Sequence, residues 1–258
     1  MKNIILLFFV YSCSSISFPD WGRDKTEQIE LEGYSEFENL DFINHLEHYG
    51  KSYLSENKRN IINLKERSKN YLTQLVKRIT SANELFFNPD IDPTFYIVKA
   101  SEPFHFSLPG RQFYFSSGLI KKYIKNENML FCALVYELVR SEKNIYSKTM
   151  IIPTGTLDTN RILSLLRLNT SDKIEIHKWA YYSLKRSGIS TDSYLSWLQV
   201  KNRNSLDFLL QLGDVRSISQ EEAMFKAFVI EIEKDTTNSN FHRGSSRSFY
   251  QLLNDVKV

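Results

Sequence analysis

A chain of 258 residues with 42% hydrophobic and 14% aromatic side chains has ample apolar material for a sizeable core, which excludes a disordered or fibrous protein. Its 33 Lys and Arg stand against 30 Asp and Glu, and the formal charge of +3 is too small to imply a nucleic acid as partner. A mild attraction to anionic lipid is the most that this balance supports.

At the N-terminus Lys2 precedes an apolar run from Ile4 to Val10. The run is far short of the roughly 20 residues needed to span a bilayer, and has the form of a signal peptide. It ends in Val10-Tyr11-Ser12-Cys13, which resembles the bacterial lipobox: a branched aliphatic, a tolerated residue, a small residue, then the cysteine that receives the lipid. Residues 1–12 are therefore expected to be a signal peptide and Cys13 the lipidated mature N-terminus; the alternative is an ordinary cleaved signal in which Cys13 is incidental. Cleavage at Cys13 removes one charge, Lys2, and takes +3 to +2. With Cys13 in a thioether, only Cys132 remains, so no intramolecular disulfide can form. Cys132 lies in an apolar helical stretch and reads as a buried, inert thiol.

Residues 13–37, polar with Pro19, Gly22 and Gly33, read as a tether, and residues 38–258 as the folded domain. From Leu40 to Ser81 apolar residues recur at helical spacing, and two helices interrupted near Gly50 are expected. Pro89, Asp90 and Pro93 mark a turn before a β-rich run from Thr94 to Ala100. Two further strands, Phe104 to Leu108 and Gln112 to Ser116, flank Pro109-Gly110. Helices follow at 119–125, 127–146, 173–186, 192–200, 221–233 and 246–256, and residues 148–171 read as a loop carrying a helical turn near Ile162 to Leu168. Helices around one small sheet make the class α+β, helix-dominated.

The segment Phe106-Ser107-Leu108-Pro109-Gly110-Arg111-Gln112-Phe113-Tyr114-Phe115-Ser116-Ser117-Gly118-Leu119 is similar to the strand-turn-strand piece of peptidase family forty-eight. These are the zinc endopeptidases that include the CAAX prenyl proteases and the periplasmic chaperone-protease type. The resemblance implies a zincin-like fold with a central active-site helix carrying His-Glu-x-x-His. In that motif two His at i and i+4 bind zinc from one helical face, and the Glu activates the metal-bound water. The corresponding helix here reads Ala133-Leu134-Val135-Tyr136-Glu137-Leu138-Val139-Arg140. Only Glu137 is kept, at the general-base position. Tyr136 ligates only as a phenolate, against a usual pKa of about 10, and Arg140 is a permanent cation with no lone pair to offer.

The family takes its third ligand from a later helix reading Glu-x-x-Ala-Asp. Counting back from Ser187-Gly188 puts Lys173 at that ligand and His177 at the supporting Asp. Glu175 would be the ligand only after a two-residue slip, a turn of about 200° around the helix. His242 with Arg247 gives a weaker echo near the C-terminus, with Arg243 where Pro is expected. If the resemblance holds, Tyr136, Arg140 and Lys173 converge where a dication would sit. One reading pairs Arg140 with Glu137 as an internal cation in place of zinc; the other leaves these as drifted, solvated positions.

His45-Leu46-Glu47-His48 has the wrong spacing for the zinc motifs, and nothing in spacing draws His105, His177 and His242 into a metal site. No Gly-x-Ser-x-Gly elbow or phosphate-cradling glycine loop is present. The family's use of this strand as an edge for extended peptides puts Phe106, Ser107 and Leu108 at a peptide-binding edge, a use that needs no metal. The expectation is a catalytically inactive metalloendopeptidase-like lipoprotein without a cofactor, lipid-anchored in the bacterial cell envelope, facing the periplasm or the cell surface, that binds a polypeptide or envelope protein through its cleft. Two alternatives stand beside it: an active metalloendopeptidase with zinc at a displaced site, using Glu137 as base with His105 or His177 as ligands, and a purely structural envelope lipoprotein.

Overall fold

The computed structural model describes residues 29–30, 36–146, 149–150, 156–233 and 244–256. The signal peptide, Cys13, most of the tether and His242 lie outside the described residues. In chain order the elements are β1 (Ile29–Glu30), α1 (Glu36–Glu56), a 3-10 turn (Lys58–Asn60), β2 (Ile61–Ile62), α2 (Glu66–Ser81), β3 (Thr94–Val98), β4 (His105–Leu108) and β5 (Gln112–Ser116). There follow α3 (Ser117–Lys122), α4 (Glu127–Glu142), β6 (Thr149–Met150), α5 (Thr159–Leu165), α6 (Thr170–Arg186), α7 (Asp192–Arg203), α8 (Leu209–Leu212), α9 (Val215–Glu233) and α10 (Arg247–Val256). The class is α+β and helix-dominated, with a mixed sheet ordered β2-β3-β5-β4 and a separate pairing of β1 with β6.

Gly50 does not break the first helix, contrary to the sequence expectation. A Cβ there would lie 2.8 Å from Gln112 Oε1 and 3.0 Å from Leu108 Cδ1, so the glycine lets α1 run close against the hairpin. The break comes instead at residues 57–65, where the Ile61-Ile62 pair, expected in a helix, joins the sheet beside β3. Helices α4, α5 and α6 start at side-chain caps: Asn126 accepts from the Met129 N–H, Asp158 from Arg161 and Asn169 from Asp172. The caps at Asp158 and Asn169 carry α5 and α6 into a stretch whose sequence pattern reads largely as loop.

Period-two alternation divides the sheet into two packed faces. Phe113, Phe115 and Ile97 face the larger core with α2, α4, α6, α7, α9 and α10, while Phe106, Leu108 and Tyr114 face a smaller core with α1 and α5. On β4 the alternate residues, His105 and Ser107, are polar yet 1% and 0% exposed. They lie against α4, whose residues from Leu130 to Ser141 are all buried.

The hairpin turn is bolted to the C-terminal end of α4. Gly110 and Arg111 both take positive φ, 72° and 56°, and a left-handed conformation costs a non-glycine residue about 1–2 kcal/mol. Arg111 offsets this by burying a fully engaged guanidinium: it donates to Glu142 Oε2 at 2.8 and 2.9 Å, to the Ile91 carbonyl at 2.7 Å and to the Asn88 carbonyl at 2.5 Å. Ser141 Oγ accepts from the Arg111 N–H at 3.0 Å and donates to the Leu108 carbonyl at 2.8 Å. One turn back along α4 stands Glu137, and the same clamp sets β4's polar residues opposite it.

Candidate functional site

Glu137 is completely buried. Its Oε1 accepts from His105 Nδ1 at 2.6 Å, and its Oε2 accepts from Ser107 Oγ at 2.7 Å, with the same hydroxyl 2.9 Å from the Glu137 carbonyl. Burial alone would raise the carboxyl, but the His105 hydrogen bond, Arg140 and the Ser107 hydroxyl outweigh it and hold Glu137 below the usual carboxylate range. Burial holds the His105 imidazole below its ordinary value against the pull of Glu137, so the ring is neutral. A neutral ring donating from Nδ1 to a carboxylate leaves its lone pair on Nε2, and that atom is buried without a protein partner.

Beside this pair opens a small, partly open cleft. Tyr136, Arg140 and Lys173, the three positions that the family resemblance brings together, all line it, with His105, Lys201 and Glu221. All three are at most 9% exposed, so their side chains are not solvated. Nor does Arg140 pair with Glu137 through a hydrogen bond: the closest approach is 3.9 Å. Its guanidinium instead donates to the Leu166 carbonyl and stands 5.2 Å over the Tyr146 ring. The internal-cation reading is corrected accordingly, because His105 and Ser107, not Arg140, satisfy the carboxylate.

Lys173 donates to Glu221 Oε1 at 2.8 Å. His177, one turn further along α6, lies 3.4 Å from Glu221 Oε2 through Nε2 and 2.9 Å from the Tyr194 hydroxyl through Nδ1. Burial takes His177 down to about 4, so it is neutral. Burial would raise Glu221, but the bond from His177 with the charges of Lys201 and Lys173 holds it at about 2. Nε2–H of His177 therefore donates to Glu221, and Nδ1 accepts from Tyr194, whose hydroxyl burial keeps protonated. Lys173 and His177 are both buried on the inward face of α6, whereas Glu175 is exposed.

A zinc ion does not fit the side chains that converge here. Lys173 and Arg140 are cations, the Tyr136 phenol is raised far above its ordinary value by burial, and both His177 nitrogens are engaged. Among the described residues no three His, Cys, Asp or Glu side chains come together as a metal ion requires. His45 bonds the Tyr49 hydroxyl at 2.9 Å while His48 is exposed, so that pair shares no site. The Cys132 thiol is buried and pushed up by burial, unsuited to nucleophilic chemistry.

The edge expected to take a peptide is β4, the last strand of the sheet. Phe106, Ser107 and Leu108 are all 0% exposed. The outward backbone groups of His105 meet a side chain: Gln211 Oε1 lies 3.4 Å from its N–H, and Gln211 Nε2 donates to its carbonyl at 2.8 Å. Gln211, Glu221, Lys201 and the bond between His105 and Glu137 were not picked out from the sequence. One signal was available for Lys201, which closes the stripe Tyr194, Trp197, Leu198 at i, i+3, i+4, i+7 and so places a cation on a buried helical face. Glu221 gave none, since an acidic residue early in a helix is ordinary. No protein-family model matches the chain, and no curated protein matches it.

Proposed function

We propose that this chain is a catalytically inactive, metalloendopeptidase-like lipoprotein of the bacterial envelope, zincin-like in arrangement with α4 as its central helix, which receives a polypeptide in the cleft beside α4. The observation that carries the reading is the state of Glu137. A general base must reach a water or substrate atom, whereas both oxygens of this carboxylate are committed to His105 and Ser107 in a sealed interior. Around it the ligand positions hold Tyr136, Arg140 and Lys173, which suit an organic ligand and not a dication. Anchoring rests on Val10-Tyr11-Ser12-Cys13 after the apolar run. The test is to incubate the full chain in detergent with a fluorescently labelled unfolded polypeptide, with and without added zinc. Saturable binding without cleavage is expected; zinc-dependent cleavage that Glu137→Gln abolishes would refute the proposal.

A purely structural lipoprotein is favoured by one observation, the Gln211 amide on the β4 edge at His105. A peptide that adds a strand there must displace that side chain. Gln211→Ala then separates the readings: tighter polypeptide binding supports edge pairing, and absence of binding in both forms supports the structural role.

A further inference from the structure

Four cations, Arg140, Arg167, Lys173 and Lys201, line the cleft beside one carboxylate, Glu221. Lys173 is spent on that carboxylate and Arg140 on the Leu166 carbonyl, with Glu137 behind it. Lys201 differs. It is 5% exposed, and among the described residues its ammonium has no hydrogen bond or ion pair; it stands 5.7 Å from the Tyr136 ring and 5.9 Å from the Trp197 ring. Glu221 and Glu137 attract it through space, yet burial outweighs them and holds the ammonium below its ordinary value, and an anion in the cleft would relieve that cost. The Tyr136 hydroxyl, which burial keeps protonated, likewise has no hydrogen-bond partner among the described residues and is a second donor at the same wall.

The His105 ring borders the same two aromatics, 5.8 Å from Tyr136 and 6.1 Å from Trp197. Its buried Nε2 lone pair asks for a donor, not an anion. The ligand must therefore carry an oxyanion and a hydrogen-bond donor a short distance apart. A polypeptide C-terminus has this form, since one Cα separates the terminal carboxylate from its residue's own amide N–H.

We infer that the cleft recognises a polypeptide's C-terminal carboxylate, with Lys201 and Tyr136 donating to the carboxylate and His105 Nε2 accepting from the terminal residue's amide N–H. The inference rests on the polypeptide-binding reading and narrows it to chain ends. Monohydrogen phosphate also joins an oxyanion to a donor, so the two sources must be compared directly.

The full chain in detergent is titrated calorimetrically with an N-acetylated tetrapeptide acid, with the same peptide as its C-terminal amide, and with inorganic phosphate. The acid is expected to bind at least about tenfold tighter than the amide and than phosphate. Lys201→Met removes that preference and Lys201→Arg keeps it, each with an unchanged circular dichroism spectrum. Phosphate binding with a silent peptide acid overturns the inference. Equal binding of acid and amide overturns it too, while leaving polypeptide binding in place. Silence of all three, with the unfolded polypeptide also unbound, overturns both.

Discussion

Two buried carboxylates lie on either side of the cleft wall and are kept in different ways. Glu137 is satisfied by neutral donors, an imidazole N–H and a hydroxyl, with its nearest cation 3.9 Å away. Glu221 is satisfied by a direct ion pair with Lys173 and by His177, and it faces the cleft. The first joins α4 to β4 and the second joins α6 to α9, so each carboxylate ties together two elements distant in sequence. Glu137 belongs to the frame and, fully buried, lies out of a ligand's reach. Glu221 leaves Lys201 in excess beside it, and the chemistry available to a ligand is on that side.

If the frame role is right, Glu137→Ala has the largest effect of any single change, about 4 kcal/mol in urea unfolding, because it strands a buried imidazole N–H and leaves a cavity beside Ser107, whose hydroxyl keeps only the residue 137 carbonyl. Glu137→Gln should cost clearly less, since the amide keeps an acceptor for His105. Equal losses for the two would remove the distinction between the centres.

Acid provides the next test, on the Glu221 side. His177 has a folded value of about 4 against an ordinary 6.5. Between these values the unfolded chain binds a proton that the folded chain does not, so this stability is present above pH 6.5 and is lost as pH falls toward 4. The loss is on the order of 3 kcal/mol. Glu221, at about 2 against 4.5, has the same sign and extends the loss from pH 4.5 toward 2. The thermal midpoint by circular dichroism should fall through this range; a flat profile from pH 7 to 4 would contradict the buried neutral His177.

Lys173→Met should cost about 2 kcal/mol, less than a fully buried pair usually does, because Lys201 remains near Glu221. Smallest and opposite in sign is Lys201→Met, which removes an unpaired desolvated cation and should leave stability unchanged or raise it by about 1 kcal/mol. A substantial loss in that variant would mean that Lys201 is a structural group and not one waiting for a ligand.

The elements that the sequence made legible are those with unbroken periodicity: α4, α7 and the hairpin of β4 and β5 match their apolar patterns closely, whereas α2 starts only at Glu66. The bounds that shifted are where side chains other than apolar ones decide. Gly50 reads as a breaker until Gln112 and Leu108 are seen packed against it. At the site, the family resemblance singled out Tyr136, Glu137, Arg140, Lys173 and His177, and all five are buried. Their partners were not legible. Phe104-His105-Phe106-Ser107-Leu108 has the alternation of a strand with one wet face, and only the packing of α4 onto that face turns His105 and Ser107 into ligands for Glu137.

We propose that this cleft serves recognition of an organic group and not metal chemistry. This is tested most directly by the zinc content of the full chain purified in detergent without chelator or histidine tag, followed by calorimetric zinc titration of the folded protein. The account predicts no stoichiometric zinc and no saturable uptake beyond that of a His105→Ala, His177→Ala control. Near-stoichiometric zinc, bound with micromolar affinity or better and lost in that control, would contradict it.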